Sequence, residues 1–176
     1  EEVAPNRTLM MVGSGDMAVS HIGRSKATTR ELAEATAIIK QLLLGQSLAF
    51  GTSSSEHLIY TPGNFVPVYI AASGPKTVEL AGQVGDGAFT WTGFSSDAVR
   101  ITRHHINNGL KTANRTAGDF PVIAVAPIRI EKDIETACSW MSNWLAADCG
   151  LPGTLGNRIA NYHGPYMGSD KQNLCQ

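Results

Sequence analysis

The sequence predicts an α/β fold in which parallel strands are covered by helices. Three observations support this: short β-branched runs alternate with longer segments of helical period, Gly makes up 18 of the 176 residues, and 43% of the residues are hydrophobic. Alternating strands and helices are typical of parallel sheets with covered faces, and glycines suit tight strand–helix turns. We expect one α/β domain over residues 1–176, with an irregular segment at 149–176.

The first predicted unit is a strand at residues 8–12 followed by a helix at about 28–44. A glycine turn closes the strand, and residues 20–27 form an excursion before the helix begins. Thr28 or Thr29 caps the helix N-terminus and Gly45 ends the helix. The apolar stripe of this helix predicts the face that packs on the sheet.

The second unit follows a loop rich in Gly, Ser and Thr at residues 51–55. Its strand is predicted at 66–71 and its helix at 75–84, with only a turn of small residues between them. Pro75 suits the first helical position, where its missing N–H costs nothing. The turn therefore aims the free N–H groups of a helix N-terminus beyond the end of the strand, where the usual ligand is a phosphate.

The third unit has a strand at 87–91 and a helix at 96–112, and the fourth a strand at 121–130 and a helix at about 133–147. Trp91 and Thr92 lie at the carboxyl end of a strand, where parallel α/β folds bind their ligands. A tryptophan at such a position is as often a packing residue.

Two architectures fit these four units, part of a (β/α) barrel or an open doubly wound sheet. The run Gly13-Ser14-Gly15-Asp16-Met17-Ala18 satisfies G-x-G-x-x-G/A, which predicts a Rossmann-type nicotinamide enzyme. That motif also requires an acidic residue at the end of a second strand, whereas Glu31 and Glu34 fall in a predicted helix. A strand between Val19 and Leu44 would favour the Rossmann alternative. The glycine run is also explained by a plain strand-to-loop turn.

Composition argues against several classes of partner. The net charge is −1, so no basic excess exists to neutralise nucleic acid. The apolar runs are far shorter than the ~20 residues of a membrane helix. Low charge, at 16% of the residues, indicates a surface covered by a partner subunit. The three cysteines lack zinc-ligand spacing, so we expect no metal and a reducing, cytoplasmic location.

Histidines are the candidate residues for acid–base chemistry. His21, in the loop after the first strand, is the best placed of them. His104 and His105 lie in the middle of a predicted helix, where at most one can face a site.

With these residues assembled, the chain resembles the luciferase-like monooxygenase superfamily, which includes flavin-dependent monooxygenases and reductases that use the deazaflavin coenzyme F-420 (F420). Three segments carry the resemblance: LMMVGSGDMAV at residues 9–19, the helix at 31–45, and PVYIAASGPKTVELAGQVGDGAF at 67–89. They resemble the fourth strand, its helix, and the fifth and sixth units of the family's barrel. The resemblance implies a partial TIM-type barrel of about four parallel units, equivalent to strands 4 to 7.

The resemblance also implies a site. The backbone of Ala72, Ser73 and Gly74 would bind the phosphate of FMN or coenzyme F-420. Gly13, Ser14, Gly15 and Asp16 would border the flavin and the substrate on the same rim. The family's cofactor carries the hydride or activates oxygen, and the protein positions it.

Strands 1 to 3 of the family's barrel have no counterpart among the four units. A closed barrel takes ~250 residues, and four parallel strands leave two open edges. We therefore expect a homo-oligomer or a partner chain that completes the barrel. The leading hypothesis is a flavin- or deazaflavin-dependent oxidoreductase acting on a small molecule. A catalytically inactive flavin-binding or assembly protein derived from that fold is the alternative, and a Rossmann-type dehydrogenase the third.

Overall fold

A computed structural model describes residues 6–15, 19, 22–61, 65–92, 96–116, 118–125 and 128–140. Its strands are β1 (Met10–Val12), β2 (Leu48–Phe50), β3 (Ser53–Glu56), β4 (Val68–Ala72), β5 (Gly87–Thr90) and β6 (Val122–Ala124). Its helices are α1 (Thr29–Leu43), α2 (Pro75–Val84), α3 (Ser96–Thr112) and α4, of which residues 134–140 are described. No helix in these ranges is long and apolar enough to cross a membrane.

The main sheet has four parallel strands in the order β1-β4-β5-β6. Each successive strand of this sheet is therefore added at the same edge, whereas the strand order of a doubly wound sheet reverses direction at a switch point. The described residues between 19 and 44 include α1 and contain no strand. This removes the condition that would have favoured the Rossmann alternative, and the order of the strands is that of a barrel segment.

Helix α1 is bounded by two local signals. Thr28 and Glu31 form a capping box: the Glu31 N–H donates to Thr28 Oγ1 (3.2 Å), and the Thr28 N–H donates to Glu31 Oε2 (2.7 Å). At the other end Gly45 has φ +77°, and the N–H groups of Gly45 and Gln46 donate to the carbonyls of Leu42 and Gln41. This is a Schellman motif, so both predicted ends of the helix are confirmed.

The core lies between one face of the sheet and the helices. Successive strand residues face opposite sides, and the side that includes Ile70, Ala72 and Ala88 is buried against the helices. Helices α2 and α3 cross closely: a Cβ built on Gly82 would lie 2.9 Å from the Leu110 nitrogen. Their glycines therefore set the spacing of the helix layer. The remaining members of the core are Leu32, Val78, Leu80, Ala81, Ile106, Leu110 and Phe120.

The opposite face of the sheet is apolar and partly open. By register, Met11, Tyr69, Phe89 and Ile123 lie on it. Tyr69 is covered because its ring lies across Gly87, but Met11 and Ile123 are 49% and 38% exposed. In a closed barrel this face lines the interior, so its apolar character agrees with a barrel segment.

Two predictions need correction, and two others lie partly or wholly outside the described residues. The segment predicted as a loop at 51–55 belongs to the antiparallel hairpin β2–β3. The strand predicted at 121–130 is limited to Val122–Ala124, because its partner β5 ends at Thr90, which pairs with Ala124. The end of the helix predicted at 133–147 and the irregular segment at 149–176 fall outside the described residues. The single domain over 1–176 stays a prediction.

Candidate functional site

Three turns meet at the carboxyl ends of neighbouring strands. They follow β1 at Gly13–Gly15, β4 at Ser73–Gly74 and β5 at Trp91–Thr92. The Trp91 N–H donates to the Ala72 carbonyl (3.4 Å), and a Cβ built on Gly13 would lie 3.2 Å from the Ala71 Cβ. Because the strands are parallel, these turns form one rim, which is where such folds place their ligands.

The chain leaves the first turn through a helical hydrogen bond at Val19 and returns to that turn before α1 begins. The Val19 N–H donates to the Gly15 carbonyl and the Ala27 N–H to the Ser14 carbonyl, both at 2.9 Å. Gly15 has φ +79°, and a Cβ there would lie 3.3 Å from the Val19 Cβ, so backbone and space both require glycine. The described residues of the predicted excursion, 22–27, are not helical and precede α1.

Two predicted site residues cannot be placed. Asp16 and His21 lie outside the described residues, so their roles stay predictions. Gly13, Ser14 and Gly15 lie on the rim, as do Ala72, Ser73 and Gly74 of the second turn.

The second turn delivers the start of α2 to the rim. Gly74 is the N-cap and Pro75 the first helical residue, as the sequence predicts. The hydroxyl of Thr77 accepts from the Gly74 N–H (3.3 Å) and donates to the Gly74 carbonyl (3.0 Å). The N–H groups of Lys76 and Thr77 belong to the first turn, where an α-helix offers no intrahelical acceptor. Together with the helix dipole they favour an anion.

Ala72, at the end of β4, and Gly74, in the turn, are small for different structural reasons. Ala72 is buried in the core, so only its backbone can serve a ligand at the rim. A Cβ built on Gly74 would have one neighbour within 4 Å, Thr77 Oγ1 at 3.9 Å, so open space lies beside the N-cap. Among the described residues, the space beside Gly74 is therefore open next to the donors of α2.

A hydroxyl pair supports the third turn. Thr102 of α3, only 4% exposed, donates from its Oγ1 to Thr92 Oγ1 at 2.9 Å. The sequence marks Thr92 by its place after a strand. Nothing in the sequence marks Thr102, because the contact depends on how α3 packs.

The described part of the rim carries one charged side chain, Lys76. The described residues of the three turns, together with the first turn of α2, include Lys76 and no carboxylate. Asp86 lies at the opposite end of the strands, where its carboxylate pairs with Lys40 (2.7 Å) and accepts from the Val68 N–H (2.9 Å). In the ranges that the structure describes, no cluster of His, Cys, Asp or Glu could hold a metal ion.

The helix histidines lie away from the rim. His104 is exposed on α3 and contacts Asn108 (3.1 Å), whereas His105 is half-buried against α2, with its Nδ1 3.9 Å from Glu79 Oε2. Neither histidine reaches the three turns through a contact that the structure describes.

Comparison with known proteins places these features in a family. The sequence profile described as luciferase-like monooxygenase matches residues 1–168. The 5,10-methylenetetrahydromethanopterin reductase of Archaeoglobus fulgidus is 28% identical over 142 residues, covering 77% of this chain and 42% of the relative. The F420-dependent glucose-6-phosphate dehydrogenase of Beutenbergia cavernae is 31% identical over 152 residues, covering 81% and 45%.

Solved structures share the fold. An F420-dependent secondary alcohol dehydrogenase, in complex with an F420-acetone adduct, superimposes with a TM-score of 0.72 at 22% identity, over 87% of this chain and 49% of that one. The coenzyme F420 dependent tetrahydromethanopterin reductase from Methanopyrus kandleri gives 0.61 at 19% identity, over 82% and 48%.

The chain thus spans about half the length of the relatives that it matches. The predicted partial barrel is confirmed by this likeness and by the steady order of the parallel strands. Since the family profile covers nearly the whole sequence, the chain belongs to the luciferase-like monooxygenase family.

Proposed function

We propose that this chain is part of an F420-dependent oxidoreductase that transfers a hydride between the deazaflavin and a small-molecule substrate. The relatives named for F420 support the deazaflavin over FMN. The structural observation that carries the proposal is the glycine-capped start of α2 at the rim, where the described residues leave space beside the Gly74 Cα.

In this proposal the phosphate of the cofactor lies against the backbone of Ala72, Ser73 and Gly74 and the first turn of α2. The donors are neutral amides at the positive end of a helix, so they bind an anion at any pH at which the protein is folded. When bound, the cofactor supplies the hydride chemistry, and the protein orients it and limits access of water.

The loop after β1 borders the ring in the same proposal. Gly13 and Gly15 present no side chains, and the Ser14 carbonyl is held by the Ala27 N–H, so the backbone of this loop is fixed. We assign the bordering surface to Gly13, Ser14, Gly15 and Asp16, with His21 as the candidate for proton transfer.

Completion of the barrel belongs to the proposal as well. The apolar inner face is partly exposed at Met11 and Ile123, and in the described part of the chain β1 and β6 are the outer strands of the sheet. Open parallel edges and an exposed apolar face are both unfavourable in water. We infer that a second copy or a partner chain covers them and supplies further ring-binding surface. We also infer a cytoplasmic location, because the sequence has an odd number of cysteines, three, without zinc-ligand spacing.

Titration with F420 and, separately, with FMN tests the cofactor. A ligand present at about 100 times its Kd stabilises the native state by about 2.7 kcal/mol, which corresponds to a rise of roughly 5–10 °C in the midpoint of thermal unfolding. We expect this rise with F420. A rise with FMN alone would contradict the deazaflavin, and no rise with either would refute cofactor binding. Native mass spectrometry of the same sample identifies any partner chain.

A non-catalytic flavin-binding or assembly protein is the second candidate, and the open inner face favours it. Hydride transfer and oxygen consumption, measured with the cofactor bound, separate the two. Binding without either reaction, over a panel of alcohols, sugar phosphates and pterins, would favour the non-catalytic protein.

A further inference from the structure

The end of β5 lies beside the start of α2. The register of the two strands pairs Ala72 with Thr90, so Thr92 is at the level of Gly74, two residues further along each chain. The Trp91 N–H still donates to the Ala72 carbonyl, which shows that the chains remain neighbours there. Adjacent strands are about 4.8 Å apart, so continuing this register places Thr92 beside Gly74, the N-cap of α2.

The alternation of β5 sets the direction of the Thr92 side chain. Ala88 and Thr90 are buried on the helix side of the sheet, and Thr92 has the same parity. Its contact with Thr102 of α3 agrees with this direction. The Thr92 hydroxyl therefore lies on the side of the rim where α2 begins.

The contact with Thr102 leaves the Thr92 hydroxyl able to donate to another group. Thr102 Oγ1 donates to Thr92 Oγ1, and a hydroxyl has one proton to donate and two lone pairs to accept. By accepting from Thr102, Thr92 keeps its own proton for another acceptor. Because Thr102 is nearly fully buried in α3, it holds the Thr92 oxygen in place from behind.

We propose that Thr92 is a second donor to the phosphate held by α2, and that Thr102 is the positioning residue that orients it. The proposal rests on the proposed function and names a further contact at the same site. The N–H groups of Lys76 and Thr77 and the Thr92 hydroxyl are all donors, and a phosphate has acceptor oxygens for each of them.

Affinity measurements with and without the phosphate test this assignment. Cofactor fluorescence gives the Kd of F420 and of deazariboflavin, which lacks the phosphate, for wild-type protein and for Thr92→Val, Thr102→Val, Thr102→Ser and the double variant Thr92→Val/Thr102→Val. Thr36→Val is the matched control, since Thr36 is a fully buried helix threonine whose hydroxyl donates to the Leu32 carbonyl (2.6 Å). Thermal midpoints of the free proteins report any general loss of stability.

We expect Thr92→Val to weaken F420 binding about tenfold, because hydrogen bonds to charged groups are the stronger ones, and to leave deazariboflavin binding unchanged. Thr102→Val weakens F420 binding roughly threefold, and Thr102→Ser restores it. The double variant matches Thr92→Val, since Thr102 acts through Thr92. Thr36→Val lowers the midpoint without changing either Kd.

Several results would overturn the proposal. The first two are a Thr92→Val variant that binds F420 as tightly as wild type, and one that loses the same affinity for F420 and for deazariboflavin. The other two are additive losses in the double variant and a Thr102→Ser variant that does not regain F420 binding. Wild-type protein that binds deazariboflavin and F420 equally well would refute a phosphate site altogether. Wild-type protein that binds neither would refute the proposed function, and this inference with it.

Discussion

The close crossing of α2 and α3 predicts that Gly109→Ala destabilises the protein. A Cβ on Gly109 would lie 2.9 Å from the Glu79 carbonyl carbon and 3.1 Å from the Gln83 nitrogen, and it would overlap the Glu79 oxygen. These are backbone atoms of a packed helix, so relief requires the two helices to separate. Overpacking of this kind costs about 3 kcal/mol. Alanine regains about 1 kcal/mol of helix propensity, which leaves a net loss of about 2 kcal/mol.

Thermal and urea unfolding measure this loss directly. For a chain of this size 2 kcal/mol lowers the thermal midpoint by about 4–8 °C. Gly118→Ala is the control, because a Cβ there has no neighbour within 4 Å, and its midpoint should stay within about 1 °C of wild type. Helix propensity alone predicts the opposite sign for Gly109→Ala. A midpoint equal to or above that of wild type would refute the close crossing of the two helices.

Three further predictions concern charged groups. Hydrogen bonds from the Thr28 N–H and hydroxyl lower the pKa of Glu31, so this carboxylate stabilises the fold above its ordinary pKa, and the stabilisation is lost as the pH falls through the folded-state pKa. Thr28→Ala removes the hydroxyl donor and keeps the N–H, so it should reduce that acid loss in the thermal midpoint without abolishing it, and an unchanged pH profile would contradict this. Asp86→Ala should lower the free energy of unfolding in urea by about 1–3 kcal/mol. Lys40→Met should lower it by less, because Asp86 also accepts from a backbone N–H. A larger loss in Lys40→Met than in Asp86→Ala would exclude a stabilising role for that second bond. Arg115→Met removes the donor to the carbonyls at the end of α2 and should lower the free energy of unfolding by about 1–3 kcal/mol in the same assay. Arg115→Lys should regain only part of that stability, and full recovery by lysine would show that charge alone is sufficient.

The helices were predictable because their signals are local. The bounds predicted for α2 and α3 are those observed, with Pro75 at the first position of α2 and an apolar period on both helices. Strand length follows different physics, since a strand extends only as far as its partner. The apolar run at 121–130 predicts ten strand residues, but β5 offers partners for three, and Ile128 and Ile130 are 78% and 88% exposed. The hairpin β2–β3 was missed because Ser53–Glu56 has no apolar alternation.

Some features of the candidate site are likewise local in the sequence, and others depend on the fold. The turn at Ser73–Gly74 could be predicted, since a strand, a small-residue turn and a proline follow one another along the chain. The glycine loop after β1 fits a dinucleotide motif, and only the fold shows that it returns to Ser14 before α1 begins. The pair of Thr92 and Thr102 joins two elements across a loop, so no spacing rule in the sequence identifies it.

The two ends of α2 differ in how their free backbone groups find hydrogen-bond partners. At its carboxyl end, Arg115 Nη1 donates to the carbonyls of Gly82 (2.9 Å) and Gly85 (2.8 Å), which satisfies groups that the helix leaves without partners. Helix α1 begins with a capping box that satisfies its first amides. Helix α2 begins with Gly74, which has no side chain to cap with. Ser, Thr, Asp or Asn at that position would stabilise the helix by closing its first amides with a side-chain oxygen. A glycine N-cap stabilises the helix by only a few tenths of a kcal/mol less than these residues, and it leaves the same amides free for the phosphate that we propose.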